Sequence, residues 1–278
     1  MNDNLQKKIL DKVKTLPPMP QIAAKVIQIC EKPNFNFSEV IMLVSKDISL
    51  TSSILKFANS AAFSPVSEVT DLRQATTYIG VNNLKNLVIS ISLKSVYNKT
   101  FDFISQKIWE HSIAVSIFSR LLALLKKPEI ATEVFTLGMM HDIGQIIFKT
   151  SVPEYSEFVE TAFNNNIPLS EIEKNFIGFD HAELGGYTMK TWKMPHLFID
   201  VVYFHHQYLQ SKFKDHSVIL TYANNIVKSL SDCIDKVINE ADIEYCEEVL
   251  KISKAEKDEL INNFMEIYKK EKEIFELK

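Results

Sequence analysis

Arginine is nearly missing from this chain: Arg73 and Arg120 are the two arginines among 31 basic residues, and all the others are lysine. A guanidinium fork is the usual bidentate grip on phosphate, so this scarcity speaks against an arginine-clamped phosphate site. The net charge of -4 likewise leaves no basic field for a nucleic acid. Glycine is scarce too, six in 278 residues, which leaves few places for hairpins and tight turns. The three cysteines, Cys30, Cys233 and Cys246, are odd in number and have no CxxC spacing, so they read as reduced thiols rather than disulfides or zinc ligands. No GxSxG elbow accompanies the histidines, and serine nucleophile chemistry has no support. Residues 1–8 lack the apolar core of a signal peptide, and no run approaches the roughly 18 apolar residues of a membrane span. The expectation is a cytoplasmic protein that engages neither nucleic acid nor membrane.

What is present is apolar periodicity. Hydrophobic residues make up 46% of the chain and recur at three-and-four spacing, while strand alternation is absent over any useful length. The fold class is all-α. Lys7 to Thr15 reads as a helix stopped by Leu16-Pro17-Pro18-Met19-Pro20, and Pro20 opens the next. Ser38 and Ser49 read as N-caps of two short helices. Asp71 with Gln74 forms a capping box closed by Gly80, and Asn82 reads as the cap of Leu84 to Val96. Asn98-Lys99-Thr100-Phe101-Asp102 marks a hinge between lobes. This gives an N-terminal helical lobe over 1–100, a second lobe over 101–230 and a C-terminal helical extension over 231–278, where Lys251 to Lys278 reads as an amphipathic helix. Ile104 to Lys126 is apolar on nearly every face, which places it centrally.

The candidate chemistry lies in the histidines. His111 falls in the stripe Ile104, Ile108, Val115, Phe118 and Leu122, and His141-Asp142 follows an apolar run 30 positions later. Imidazole and carboxylate together suit Zn, Fe, Mn or Ni. Adjacent residues diverge by about 100° on a helix, so His141 and Asp142 can share an ion only over a helix end, which Gly138 and Gly144 would allow. On a wheel of Pro195 to Leu209, His205 lies inward with Phe198, Val201 and Val202, while His206 lies at the rim. Asp180 reads as an N-cap with Glu183 at the box position, and His181 beside it reads as facing solvent or as a ligand. His196 and His216 read as surface residues at helix starts.

An ordered series of motifs carries a resemblance. Leu16-Pro17-Pro18-Met19-Pro20, Val44 to Thr51, Leu55-Lys56-Phe57-Ala58-Asn59-Ser60-Ala61-Ala62-Phe63 and Leu72-Arg73-Gln74-Ala75 to Ile79-Gly80 resemble successive signatures of the HDOD family. Trp109-Glu110-His111-Ser112, Gly138 to Gly144, Asp180 to Gly185, Trp192-Lys193-Met194-Pro195 and His205-His206 continue the pattern, over residues 14 to 210. The resemblance implies an HD-domain-like multi-helix bundle, related to metal phosphohydrolases that bind ions through a histidine, a His-Asp pair and a later aspartate. It implies a candidate vestigial site at His111, His141, Asp142, His181, His205 and His206.

One position departs from that kinship. Asn224 stands in Ile219-Leu220-Thr221-Tyr222-Ala223-Asn224-Asn225, where the last aspartate of catalytic relatives is expected. An amide brings no negative charge and binds a hard or borderline cation more weakly. Asp200 points away from the His205 stripe on the wheel, Asp215 lies at a helix start, and the glycine-tyrosine-proline signature of cyclic-di-GMP hydrolases is missing. The resemblance therefore implies a bacterial-type regulatory, signal-transduction module that docks a signalling protein without catalysis. No cofactor is expected, or a divalent metal (Fe, Mn, Zn, Ni or Mg) if the site is retained. The alternative is a metal-dependent phosphohydrolase acting on a nucleotide or cyclic dinucleotide, and a nucleotide is a candidate ligand in either case.

Overall fold

The computed structural model describes residues 6, 7, 9, 11, 19, 21–30, 32, 35–60, 63, 65, 67–97, 102–231 and 233–271. Among these residues there is helix and no strand, as the periodicity implies. Most of the expected helix over 7–15 and of the hinge over 98–102 lies outside the described residues.

The chain divides into two compact units, Pro17–Lys99 with Ile261–Lys278, and Met1–Leu16 with Thr100–Leu260. The first holds α1 (Gln21–Cys30), α2 (Phe37–Val44), α3 (Ile48–Ala58), α4 (Leu72–Ile79) and α5 (Val81–Tyr97). Two of the expected caps are displaced. Asn36 rather than Ser38 caps α2, accepting from the Ser38 amide, and Asp47 rather than Ser49 caps α3, accepting from the Leu50 amide at 2.9 Å. A carboxylate or amide one or two positions upstream outcompetes a serine hydroxyl for the same orphan N–H groups. Asp71 caps α4 as expected, and Gly80 ends it at φ 83°, where a Cβ would be strained. Asn82 is not a cap, because α5 already begins at Val81.

The second unit is built on α6 (Phe103–Lys126), started by the Asp102 side chain. It packs most extensively against α7 (Ala131–Met140) and then α13 (Lys214–Leu230). At the first crossing a Cβ on Gly138 would come within 2.5 Å of Ser116 Cα, so the missing side chain sets the approach of the two backbones. By length and composition α6 could cross a membrane, contrary to the expectation that no run approaches that length; 78% of its apolar window is buried inside the protein, as in a core helix. Around it run α8 (Ile143–Ser151), α9 (Tyr155–Asn165), α10 (Leu169–Ile177), α11 (His181–Thr191), α12 (His196–Tyr203) and α14 (Glu240–Leu250). Asp180 and Glu183 complete the expected capping box on α11. The last helix, α15, spans Lys254–Glu271. Cys30, Cys233 and Cys246 are free thiols.

Candidate metal centre

The second unit brings every sequence-predicted site residue to one place, and two helix ends do most of the aiming. α7 stops at Met140 and α8 starts at Ile143, so His141 and Asp142 occupy the turn between them. That is the open helix end the adjacent pair requires. Its Nδ1–H directed at the Gly138 carbonyl, 2.8 Å away, leaves His141 Nε2 pointing inward. α12 likewise stops at Tyr203, so His205 and His206 lie in a turn and not on the helix expected to carry them. His205 repeats the device, with Nδ1 2.8 Å from the Val202 carbonyl. A free carbonyl at the end of a helix thus fixes the ring in both cases. His111 comes from the middle of α6, His181 opens α11, and Asn224 lies on α13.

Asp142 is the hub of the cluster. Its Oδ2 lies 3.2 Å from His141 Nε2 and 3.8 Å from His111 Nε2, and its Oδ1 lies 3.3 Å from His181 Nε2 and 3.7 Å from His205 Nε2. His206 Nε2 is 2.8 Å from His181 Nε2. Two groups, His111-His141-Asp142 and His181-His205-His206, each offer ligand atoms lying within 4.8 Å of one another. His181 is buried, which removes the solvent-facing reading, while His206 is half-buried at the rim. Asn224 Oδ1 sits 2.9 Å from His111 Nε2, so the amide borders the ring on which a carboxylate was expected to converge.

Asp200 and Asp215 do not replace it. Asp200 is buried but accepts from Ser211 Oγ and the Lys212 amide, and Asp215 is exposed beside Lys127. His196 is exposed as expected. His216 is only half-buried, held 2.8 Å from Glu133.

Burial governs the charge states. It pushes His111 down to about 4 against the pull of Asp142, and His205 down to about 3 with help from His141 and His181. Burial likewise holds His206 well below the ordinary imidazole value. His181 goes the other way: burial opposes its charge, but the Glu173 and Asp142 carboxylates outweigh burial and lift it well above that value. Asp142 is likewise opposed by burial and held well below the carboxylate range by His141 and His181.

Several participants escape motif reading. Glu173 on α10 is fully buried and takes three donors: His181 Nδ1 at 2.6 Å, the His181 amide at 2.8 Å and Tyr155 Oη at 2.6 Å. A carboxylate behind an imidazole orients the ring and raises its basicity. Gln145 approaches His181 Nε2 at 3.4 Å, and Lys228 pairs with Asp235 at 2.6 Å one helical turn after Asn224. The available signal for Glu173 was weak, one of two acids in the charged stretch Glu171-Ile172-Glu173-Lys174.

The donor set fits a cation. His205 Nε2 is buried without a hydrogen-bond partner, and His141 Nε2 makes no hydrogen bond beyond its 3.2 Å ion-pair contact with Asp142, a costly condition that a metal ion relieves. A small, partly enclosed void of about 10 Å³ touches His111, Asp142, His181 and Asn224, roughly the space one water-sized particle needs. A larger cleft of about 500 Å³ opens on His205, His206, Thr221, Asn224 and Lys228.

The sequence profile of the HDOD domain matches residues 16–208. The chain belongs to the HDOD family. A curated relative from Treponema pallidum (strain Nichols), named an uncharacterized protein, is 25% identical over 226 residues, covering 80% of this chain and 44% of its own. The HDOD chain thus spans less than half the length of that relative. Among solved structures, an HDOD domain protein of unknown function from Geobacter sulfurreducens superposes with a TM-score of 0.79 at 20% identity, covering 98% of this chain and 97% of that one. A Shewanella amazonensis SB2B protein whose name proposes a phosphohydrolase gives 0.72 at 22% identity, covering 94% and 97%. A Marinobacter aquaeolei VT8 protein whose name proposes signal transduction gives 0.69 at 15%, covering 99% and 65%. At these identities the likenesses establish the shared HDOD fold.

Proposed function

We propose that this HDOD chain is a noncatalytic signal-transduction module whose histidine-aspartate cluster holds a divalent cation as part of the fold. A signalling protein is its partner and the cytoplasm its location in this reading. The carrying observation is the contact of Asn224 Oδ1 with His111 Nε2 at 2.9 Å. A neutral amide borders the cluster where hydrolytic relatives are expected to place a carboxylate. His141, Asp142, His181 and His205 would hold the ion, with His111 and His206 beside them, and a set rich in imidazole suits Zn, Fe, Mn or Ni better than Mg. A bound ion would supply positive charge against Asp142 and cross-link α7, α11 and α12. Glu173 orients His181, and the Gly138 and Val202 carbonyls orient His141 and His205.

Elemental analysis of protein purified without chelator or affinity metal, joined to a phosphoester panel with Mn, Fe, Zn and Mg, tests this. Bound cation without turnover supports it. Turnover that His141→Ala abolishes overturns it.

A second reading, a metal-dependent phosphohydrolase acting on a nucleotide or cyclic dinucleotide, draws on the cleft of about 500 Å³ beside His205 and His206. The cleft is large enough for a small ligand. Ligand-dependent stabilisation in a thermal-shift screen without turnover would instead make a nucleotide a signal that the module reads.

A further inference from the structure

Among the described residues lining the small void, Lys228 is the one that carries a fixed positive charge independent of any imidazole. It lies four residues after Asn224 on α13, so both face the same way. Its side chain is 9% exposed, and its Nζ is 2.6 Å from Asp235 Oδ2 and 3.4 Å from the Val237 carbonyl. The two groups of candidate ligands meet at Asp142, one at each carboxylate oxygen. Each Asp142 oxygen therefore faces a different set of imidazoles, and the two sets could hold one cation each.

We propose that the Lys228 ammonium takes the place of a second ion's charge, so that the cluster accepts one divalent cation and not two. This rests on the reading that the cluster holds a cation.

Charge balance supports it. Among the residues lining the void, Asp142 and Asp235 are the two carboxylates. Lys228 already neutralises Asp235, and Asn224 adds no charge. One divalent ion therefore meets Asp142, with the Glu173 carboxylate behind His181 as the remaining negative charge, and a second ion would exceed that charge beside an ammonium in a buried site, which is strongly unfavourable. Burial is the main force holding His111 and His206 below the ordinary imidazole value, and the Lys228 charge adds to it; burial opposes the charge on Lys228 itself, which Asp235 and then Asp142 sustain.

Equilibrium dialysis of the chelator-treated full chain against Mn²⁺, with elemental readout, tests the stoichiometry. Wild type is expected to bind one Mn²⁺ per chain. Lys228→Gln removes the ammonium, frees the Asp235 carboxylate and is expected to bind two, with spin-coupled signals in electron paramagnetic resonance. Lys228→Arg, which keeps the charge, is expected to stay at one. Should Lys228→Gln fail to fold, the variant carrying Asn224→Asp, Lys228→Gln and Asp235→Asn removes the acid that Lys228 had neutralised and puts a second carboxylate beside His111 Nε2, and is expected to bind two. Two ions in wild type or in Lys228→Arg overturn the inference, as does one ion in a folded variant lacking the ammonium. No ion in wild type overturns the cation-holding reading itself.

Discussion

Glu173 shows how one buried side chain can decide what a cluster binds. All three of its donors come from Tyr155 and His181, and the His181 ring is held between it and Asp142. Replacing it by glutamine keeps the volume but removes the charge that makes His181 basic. Glu173→Gln is expected to weaken Mn²⁺ or Zn²⁺ binding by about 10- to 100-fold while leaving the circular dichroism spectrum unchanged, as isothermal titration would show. Gly144 acts by absence. A Cβ there would lie 2.0 Å from the His181 carbonyl oxygen and 3.0 Å from the Gly185 amide, so α8 passes the start of α11 only because no side chain intervenes. Gly144→Ala is expected to cost roughly 1–3 kcal/mol in urea denaturation, and to weaken metal binding because the first residue of α11 is His181 itself. At this scale legibility divides by chemistry. His111, His141, Asp142 and His205 stood out because an imidazole or carboxylate beside an apolar run is rare, and Asn224 because it broke a pattern. Glu173 was illegible because its partners lie 8 and 18 positions away, so its one-letter surroundings are those of a solvated helix face.

Helix ends carry most of the functional information at the next scale. The length and middle of α6 follow from its apolar sequence, whereas helix ends depend on which of several polar neighbours wins an orphan N–H or C=O. Asn36 and Asp47 win over the serines two positions on. α12 ends at Tyr203, with the Phe204 amide closing its last turn on the Asp200 carbonyl, which puts His205 and His206 in a turn and not on a helix face, where both can approach His181. A wheel drawn through Leu209 still put His205 inward, because the turn keeps the chain on the same side for one more residue. The start of α15 is a complete capping box: the Ser253 amide donates to Glu256 Oε2 at 2.8 Å, and the Glu256 amide to Ser253 Oγ at 3.2 Å. Glu256 Oε1 also accepts from Lys126 Nζ at 2.7 Å, which in turn donates to the Lys251 carbonyl at 2.9 Å, tying the end of α6 to the junction of α14 and α15. The hydrogen bond from Lys126, with those from Ser253, lowers the Glu256 pKa to about 2. Because the folded-state value lies below the unfolded one, this contribution is fully present above pH ~4.5 and is lost as pH falls toward 2. Lys126→Met is therefore expected to lower the melting temperature at pH 7, with the difference from wild type shrinking between pH ~4.5 and 2; an unchanged difference at pH 2 would show that lost packing, not the ion pair, is responsible.

Across the whole molecule, the cluster is a long-range object. His111 and Asn224, in hydrogen-bond contact, are 113 positions apart, and Asp142, His181 and His205 enter from three other places in between. No local stretch of unfolded chain can reproduce that arrangement; the adjacent pairs His141-Asp142 and His205-His206 offer at most two ligands each. A cation held by the cluster must therefore favour the folded chain, and the stabilisation follows mass action. With free Mn²⁺ or Zn²⁺ at 100 times the dissociation constant, the unit that contains α6 to α14 is expected to gain about 2.7 kcal/mol in denaturant unfolding, reversibly with chelator. The gain should disappear when His141 and Asp142 are both replaced by alanine, since the hub carboxylate and its nearest ring nitrogen go together. A variant such as Lys190→Ala, at an exposed α11 position nine residues after His181, should retain it. An equal gain in the His141/Asp142 variant would place the ion elsewhere on the chain and separate the fold's stability from its histidines.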